Sequence, residues 1–161
     1  RTNVFAMAYT FHGFIEPMTK RGRGKLVGIA SVSGIRGLPG SEAYGASKSA
    51  VITYNESLRV GLRKTGIKVQ TISPGFVRTP LTSANPYKMP FVLTPDEFAE
   101  RAVKTIDSDA SYRTIPWQMG LLAKAMRIAP NCLWDKIVAN RKQKPRLADK
   151  QKAEAEAAQR K

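Results

Sequence analysis

Apolar side chains recur along this chain with two periods that alternate in order. Val4, Phe5, Ala8, Phe11, Phe14, Ile15 and Met18 return at helical spacing and predict a helix over residues 3–21, with Pro17 able to kink its last turn. The unbroken run Leu26-Val27-Gly28-Ile29-Ala30 reads as a buried strand. A Gly/Pro-rich loop, Gly34 to Gly40, leads to a second helix over residues 43–65. Its apolar row is Ala46, Ala50, Tyr54 and Leu58, and Gly66 is its stop. Ile67, Val69 and Ile72 mark the next strand, which ends at Ser73-Pro74-Gly75. Thr94-Pro95-Asp96-Glu97 is a helix start: an N-cap threonine, proline in the first position and acids in the first turn. Ala99, Ala102, Val103 and Ile106 give that helix a core face. A short strand should follow, and then two amphipathic helices, Trp117 to Ile128 and Cys132 to Val138, broken at Pro130.

Strands separated by helices predict an α/β fold with a parallel sheet and right-handed crossovers. Residues 80–93 break the pattern, because Pro80, Pro86, Tyr87, Met89, Pro90, Phe91 and Leu93 lack clean periodicity. They read equally as the wall of an apolar pocket or as a surface loop packed on its own side chains.

Composition narrows the class. The chain has 161 residues and 42% hydrophobic content, enough for one globular core. No apolar run approaches the ~20 residues of a membrane span. The single cysteine, Cys132, excludes an internal disulfide, suits a reducing compartment such as the cytoplasm and is expected to be a small buried residue. The net charge of +15 raises nucleic acid or an anionic surface as partners. Its clusters, Lys20 to Lys25 and Arg141 to Arg146, carry no interleaved aromatics and no zinc-ligand spacing, so nucleic acid and metal are not expected. Lys124, Arg127 and Lys136 accompany the two C-terminal amphipathic helices, a composition that also occurs at membrane interfaces. Residues 141–161 form a basic polar tail.

The chemistry concentrates in Ser31 and in Tyr44-Gly45-Ala46-Ser47-Lys48. Tyr44 and Lys48 are four apart and share a helix face. A free tyrosine titrates near ~10, and a neighbouring ammonium favours the phenolate and brings it toward working pH. Ser31 falls at the carboxyl end of its strand, where open α/β sheets bind ligands.

These residues, with Asn3 ahead of them and Pro74, Gly75 and Thr79 behind, resemble the pattern of the short-chain dehydrogenase/reductase family over residues 1 to about 115. The resemblance implies a partial Rossmann-type doubly wound parallel sheet, its last three strands with their helices. It divides the chain into a catalytic half at 1–116 with a substrate loop at 79–95, C-terminal helices at 117–140 and the tail at 141–161. It also implies an NAD- or NADP-dependent oxidoreductase interconverting a carbonyl and a secondary alcohol. In that reading Tyr44 is the acid/base, Ser31 orients the substrate oxygen, Lys48 holds the nicotinamide ribose and Asn3 positions a water. Pro74, Gly75, Val77 and Thr79 meet the nicotinamide end. Helices 3–21 and 43–65 resemble the pair that builds homodimers and homotetramers in the family.

The family's Gly-rich pyrophosphate turn, where glycines let the cofactor approach a helix N-terminus, does not occur in this sequence. The resemblance therefore implies the second half of a longer enzyme, inactive alone. A non-catalytic dimerisation module and a basic, membrane-surface-associated protein are the rival readings.

Overall fold

The computed structural model describes residues 2–83, 85 and 88–139. Pro86, Tyr87 and the basic tail at 141–161 lie outside the described residues.

The elements run α1 (Phe5–Lys20), β1 (Gly24–Ile29), α2 (Glu42–Gly61), β2 (Ile67–Pro74), α3 (Pro80–Ser83), α4 (Pro95–Asp107), β3 (Tyr112–Ile115), α5 (Trp117–Ile128) and α6 (Asn131–Ala139). A single turn of 3-10 helix, Val32–Gly34, follows β1. The strands form one parallel sheet in the order β1-β2-β3, with Leu26 beside Val69, Ile29 beside Ile72 and Pro74 beside Ile115. This is the parallel α/β arrangement that the alternation of periods predicted.

Strand alternation gives the sheet two faces. On one, Leu26, Ile67 and Val69 pack with Phe11 of α1, and Met7, Ile15, Met18, Tyr54 and Leu58 close around them. Gly28 is required on this face, since a Cβ there would fall 1.9 Å from the Asn55 amide nitrogen of α2. On the other face Ile72 and Ile115 pack with Ala102 of α4 and with Leu93. Gln70 is buried there, and its amide donates to the Thr105 and Ser108 carbonyls at the end of α4, at 3.2 and 2.7 Å. The α4 N-terminus carries the expected N-cap threonine and closes it into a capping box, with the Thr94 hydroxyl and the Glu97 carboxylate each holding the other's backbone N–H.

Several helix faces differ from the periodic reading. Phe5 and Phe14 are exposed, and Met7 takes the core position instead. The buried line of α2 is Gly45, Val51 and Asn55, so Ala46 and Ala50 stand to one side of it. Val103 is exposed on α4, where Phe98, Ala102 and Thr105 face inward. Cys132 is exposed rather than buried, because Trp134 and Val138 are the inward side chains of α6. Leu93 belongs to the core and not to a pocket wall. Among the described residues no helix is long and apolar enough to cross a membrane.

Candidate active site

β1 ends at Ile29, and Ala30 stays paired through its N–H to the Ile72 carbonyl at 2.8 Å. Ser31 then leaves the sheet in an extended conformation and caps the 3-10 turn, its hydroxyl accepting from the Ser33 N–H at 3.2 Å. That turn rests on α2 through a close backbone approach at Gly34. A Cβ there would lie 2.6 Å from the Lys48 carbonyl carbon and 2.7 Å from the Ser49 nitrogen. Absence of a side chain at Gly34 thus lets the buried Ser31 and the helix carrying Tyr44 share one wall.

Ser31, Tyr44 and Gly75 line a cavity of about 320 Å³ at the carboxyl ends of β1 and β2. Tyr44 is 45% exposed, so its phenol is open to that space. Val32, Phe76 and the Tyr44 ring supply apolar surface, while Ser33, Ser41, Thr82 and Asn85 supply hydroxyls and an amide. A larger hollow of about 540 Å³ between the Ile35–Ser41 loop, α2 and α6 contains neither Ser31 nor Tyr44 nor Lys48.

Lys48 stands one turn from Tyr44, with its ammonium 5.9 Å from the centre of the phenol ring. It donates to the Ile29 carbonyl at 2.9 Å. Partial burial removes water from the ammonium and holds its pKa below the ordinary lysine value. Asn3 lies in the turn before α1, and its amide donates to the Ser47 hydroxyl at 2.9 Å. Ser47 in turn donates to the Tyr44 carbonyl at 2.7 Å, a link from Asn3 to α2 that the sequence reading missed.

Beyond Gly75 the chain runs beside Leu93, just ahead of α4. The Gly75 N–H donates to the Ile115 carbonyl at 2.7 Å, and Val77 bridges Leu93. Thr82 donates to the Val77 carbonyl at 2.7 Å, and the Thr79 N–H donates to the Thr82 hydroxyl at 2.9 Å. Pro74, Val77 and Thr79 are therefore neighbours of the cavity without lining it. Phe76, Thr82 and Asn85, which line it, were not singled out in the sequence.

A hydroxyl, a phenol and a half-buried ammonium gathered where two parallel strands end can orient an oxygen and exchange a proton with it. The family model for short chain dehydrogenases matches residues 1–89, the segment that carries Asn3, Ser31, Tyr44, Lys48 and Thr79. The chain belongs to the short-chain dehydrogenase family. An uncharacterized oxidoreductase of Myxococcus xanthus is 41% identical over 134 residues, covering 83% of this chain and 53% of that protein. The short-chain dehydrogenase sequence described here thus spans about half the length of that relative. A Burkholderia cenocepacia short chain dehydrogenase in complex with NADP superimposes with a TM-score of 0.72 at 17% identity, over 84% of this chain and 57% of that one. One from Sphingobium yanoikuyae in complex with NADPH gives 0.66 at 23% identity, over 88% and 55%. At such identities these two likenesses speak to the fold, and they agree with the three parallel strands and flanking helices.

Proposed function

We propose that Ser31, Tyr44 and Lys48 are the catalytic group of an NAD- or NADP-dependent oxidoreductase that interconverts a carbonyl and a secondary alcohol. The observation that carries this reading is the meeting of the Ser31 hydroxyl and the Tyr44 phenol on one cavity at the carboxyl end of β1. Ser31 donates to the substrate oxygen and orients it, and Tyr44 gives that oxygen a proton or takes one from it. The Lys48 cation favours the phenolate and eases the transfer. Asn3, joined to α2 through Ser47, positions a water that returns protons to solvent.

The residues present fit a nicotinamide cofactor at its reactive end. Lys48 offers donors suited to ribose hydroxyls, beside a strand end where Ile29 is 45% exposed. Pro74, Gly75, Val77 and Thr79 border the same opening and would hold the carboxamide. Bound there, the nicotinamide supplies or accepts the hydride. The apolar surface of Val32 and Phe76 supports a lipophilic substrate.

Phe5 and Tyr9 are 57% and 75% exposed on α1, with ring centres 6.4 Å apart. This favours a second role for α1 and α2 in a homodimer or homotetramer, either alongside catalysis or without it. The deciding experiment is Tyr44→Phe in the full-length protein. Phe conserves the ring volume, so the fold should persist while turnover falls far more than tenfold, each tenfold being about 1.4 kcal/mol of barrier. A variant that keeps a tenth of wild-type kcat would leave the interaction-module reading in possession.

A further inference from the structure

Helix α5 is apolar on two opposite sides. Met119 and Ala123 are buried against the body of the protein. Trp117, Leu121 and Ile128 are 64%, 58% and 83% exposed. Together with Lys124 they are spaced by four, three and four residues, so they form one row along the outward side. Core packing accounts for the first side and leaves the second unexplained.

The charge around that row has one sign. A groove of about 410 Å³ along α5 and β3 is lined in part by Arg113, Trp117, Leu121, Lys124 and Arg127, and no carboxylate lines it. None of its three cations forms an ion pair among the described residues. No Asp or Glu occurs between Asp109 and Asp135 in the sequence. On α6, Leu133 and Ile137 are 50% and 60% exposed one turn apart, with Lys136 beside them.

The two helices are held rather than frayed. Arg36 donates to the Met126 carbonyl and to the Asn131 side-chain oxygen, each at 2.8 Å, and its guanidinium lies 5.1 Å from the centre of the Trp134 ring. That one side chain fastens the end of α5 and the start of α6 to the loop after the 3-10 turn.

We propose that the outward side of α5, continued by α6, docks on an anionic lipid bilayer. Trp117, Leu121 and Ile128 enter the interface, and Arg113, Lys124 and Arg127 meet the lipid phosphates. Charge complementarity selects this occupant. A second copy seated face to face on the α5 row would set these cations against their own equivalents, with no carboxylate in the groove between them. An anionic bilayer supplies both the apolar layer and the opposite charge. The proposal stands independently of the catalytic reading.

The test is cosedimentation of the full-length protein with vesicles of neutral phosphatidylcholine, and of phosphatidylcholine carrying about 30% phosphatidylglycerol. Binding to the anionic vesicles should be at least about tenfold tighter than to the neutral ones and should weaken between roughly 0.05 and 0.5 M salt. Leu121→Gln with Ile128→Gln should lower it by about tenfold, with oxidoreductase turnover and melting unchanged. Arg113→Gln with Lys124→Gln should remove the preference for anionic vesicles. Three outcomes would overturn the proposal: no preference for anionic vesicles, a Leu121/Ile128 variant that binds as well as wild type, because the basic tail alone then accounts for binding, or a variant whose oligomer dissociates, because a second copy then covers the row.

Discussion

The Lys48 ammonium donates to the Ile29 carbonyl at 2.9 Å, which ties the first half of α2 to the last residue of β1, an edge strand among the described residues. Among the described residues Ile29 pairs with Ile72 on one side only, and Lys48 approaches the strand end close to Tyr44. One side chain thus serves a strand end and stands ready to support a neighbouring phenol.

The lowered pKa of Lys48 sets a pH dependence. In the unfolded chain the amine keeps its proton up to the ordinary lysine range, whereas in the folded protein it releases the proton earlier. Between those two values the unfolded state binds more protons, so stability rises with pH there. Lys48→Met should remove that part of the slope, read from urea midpoints across the alkaline range. In the full-length enzyme the same substitution should weaken NAD(H) or NADP(H) binding as well as turnover. An unchanged cofactor Kd would strip Lys48 of its proposed ribose contact.

Gly34→Ala should damage the site from a distance. The new methyl would press on the backbone of Lys48 and Ser49 rather than on a side chain that could rotate away. Relief requires the 3-10 turn to lift from α2, which carries Ser31 away from Tyr44. Overpacking of this kind costs about 1–3 kcal/mol. Thermal melting should report that loss, and kcat should fall more than KM rises. A variant with wild-type melting and turnover would mean that the close approach is dispensable.

Arg36→Met should loosen the C-terminal helices. The guanidinium donates to carbonyls at the end of α5, where a cation is also favoured by the helix dipole, and Met leaves those acceptors unpaired. Hydrogen bonds from a charged donor contribute about 1.5–3 kcal/mol each, although Arg36 is partly solvated and the lower figure applies. Hydrogen exchange should rise in α5 and α6 and stay constant in β2. Uniform exchange across both regions would assign the pinning to Trp134 instead.

What was legible in the sequence was what is local. Ser31 follows an apolar strand, Tyr44 and Lys48 are one helical turn apart, and Thr94 to Glu97 spells its own cap. What was not legible depends on approach between distant segments. Arg36 meets residues some ninety positions later, Thr82 and Asn85 come from a stretch without periodicity, and Phe76 from the short connection before it. Helical spacing placed Phe5 and Phe14 in the core because period alone cannot say which flank of a helix is covered. On α2 the buried line runs through Gly45 and Asn55, residues that an apolar pattern does not count. Asn55 is buried because its amide donates to the Thr71 hydroxyl at 3.1 Å across the space that Gly28 leaves open.

The open flank of β1 carries the last prediction. Among the described residues β1 pairs with β2 alone, so one row of its backbone N–H and C=O groups has no strand beside it. Helix α4 packs on β2 and β3, and on that side of β1 Ile29 is 45% exposed. A flat apolar edge with unpaired backbone groups is a template for pairing with another chain. A polypeptide of residues 1–161 by itself should therefore self-associate and fail to bind the cofactor, whose pyrophosphate turn has no counterpart in this sequence. Light scattering and size-exclusion chromatography should show aggregates. A monomeric 161-residue protein that melts cooperatively and binds NAD(H) or NADP(H) at micromolar concentration would sink this expectation. The β1 edge would then be sealed by the chain itself, and Lys48 at Ile29 would be the place to look for how.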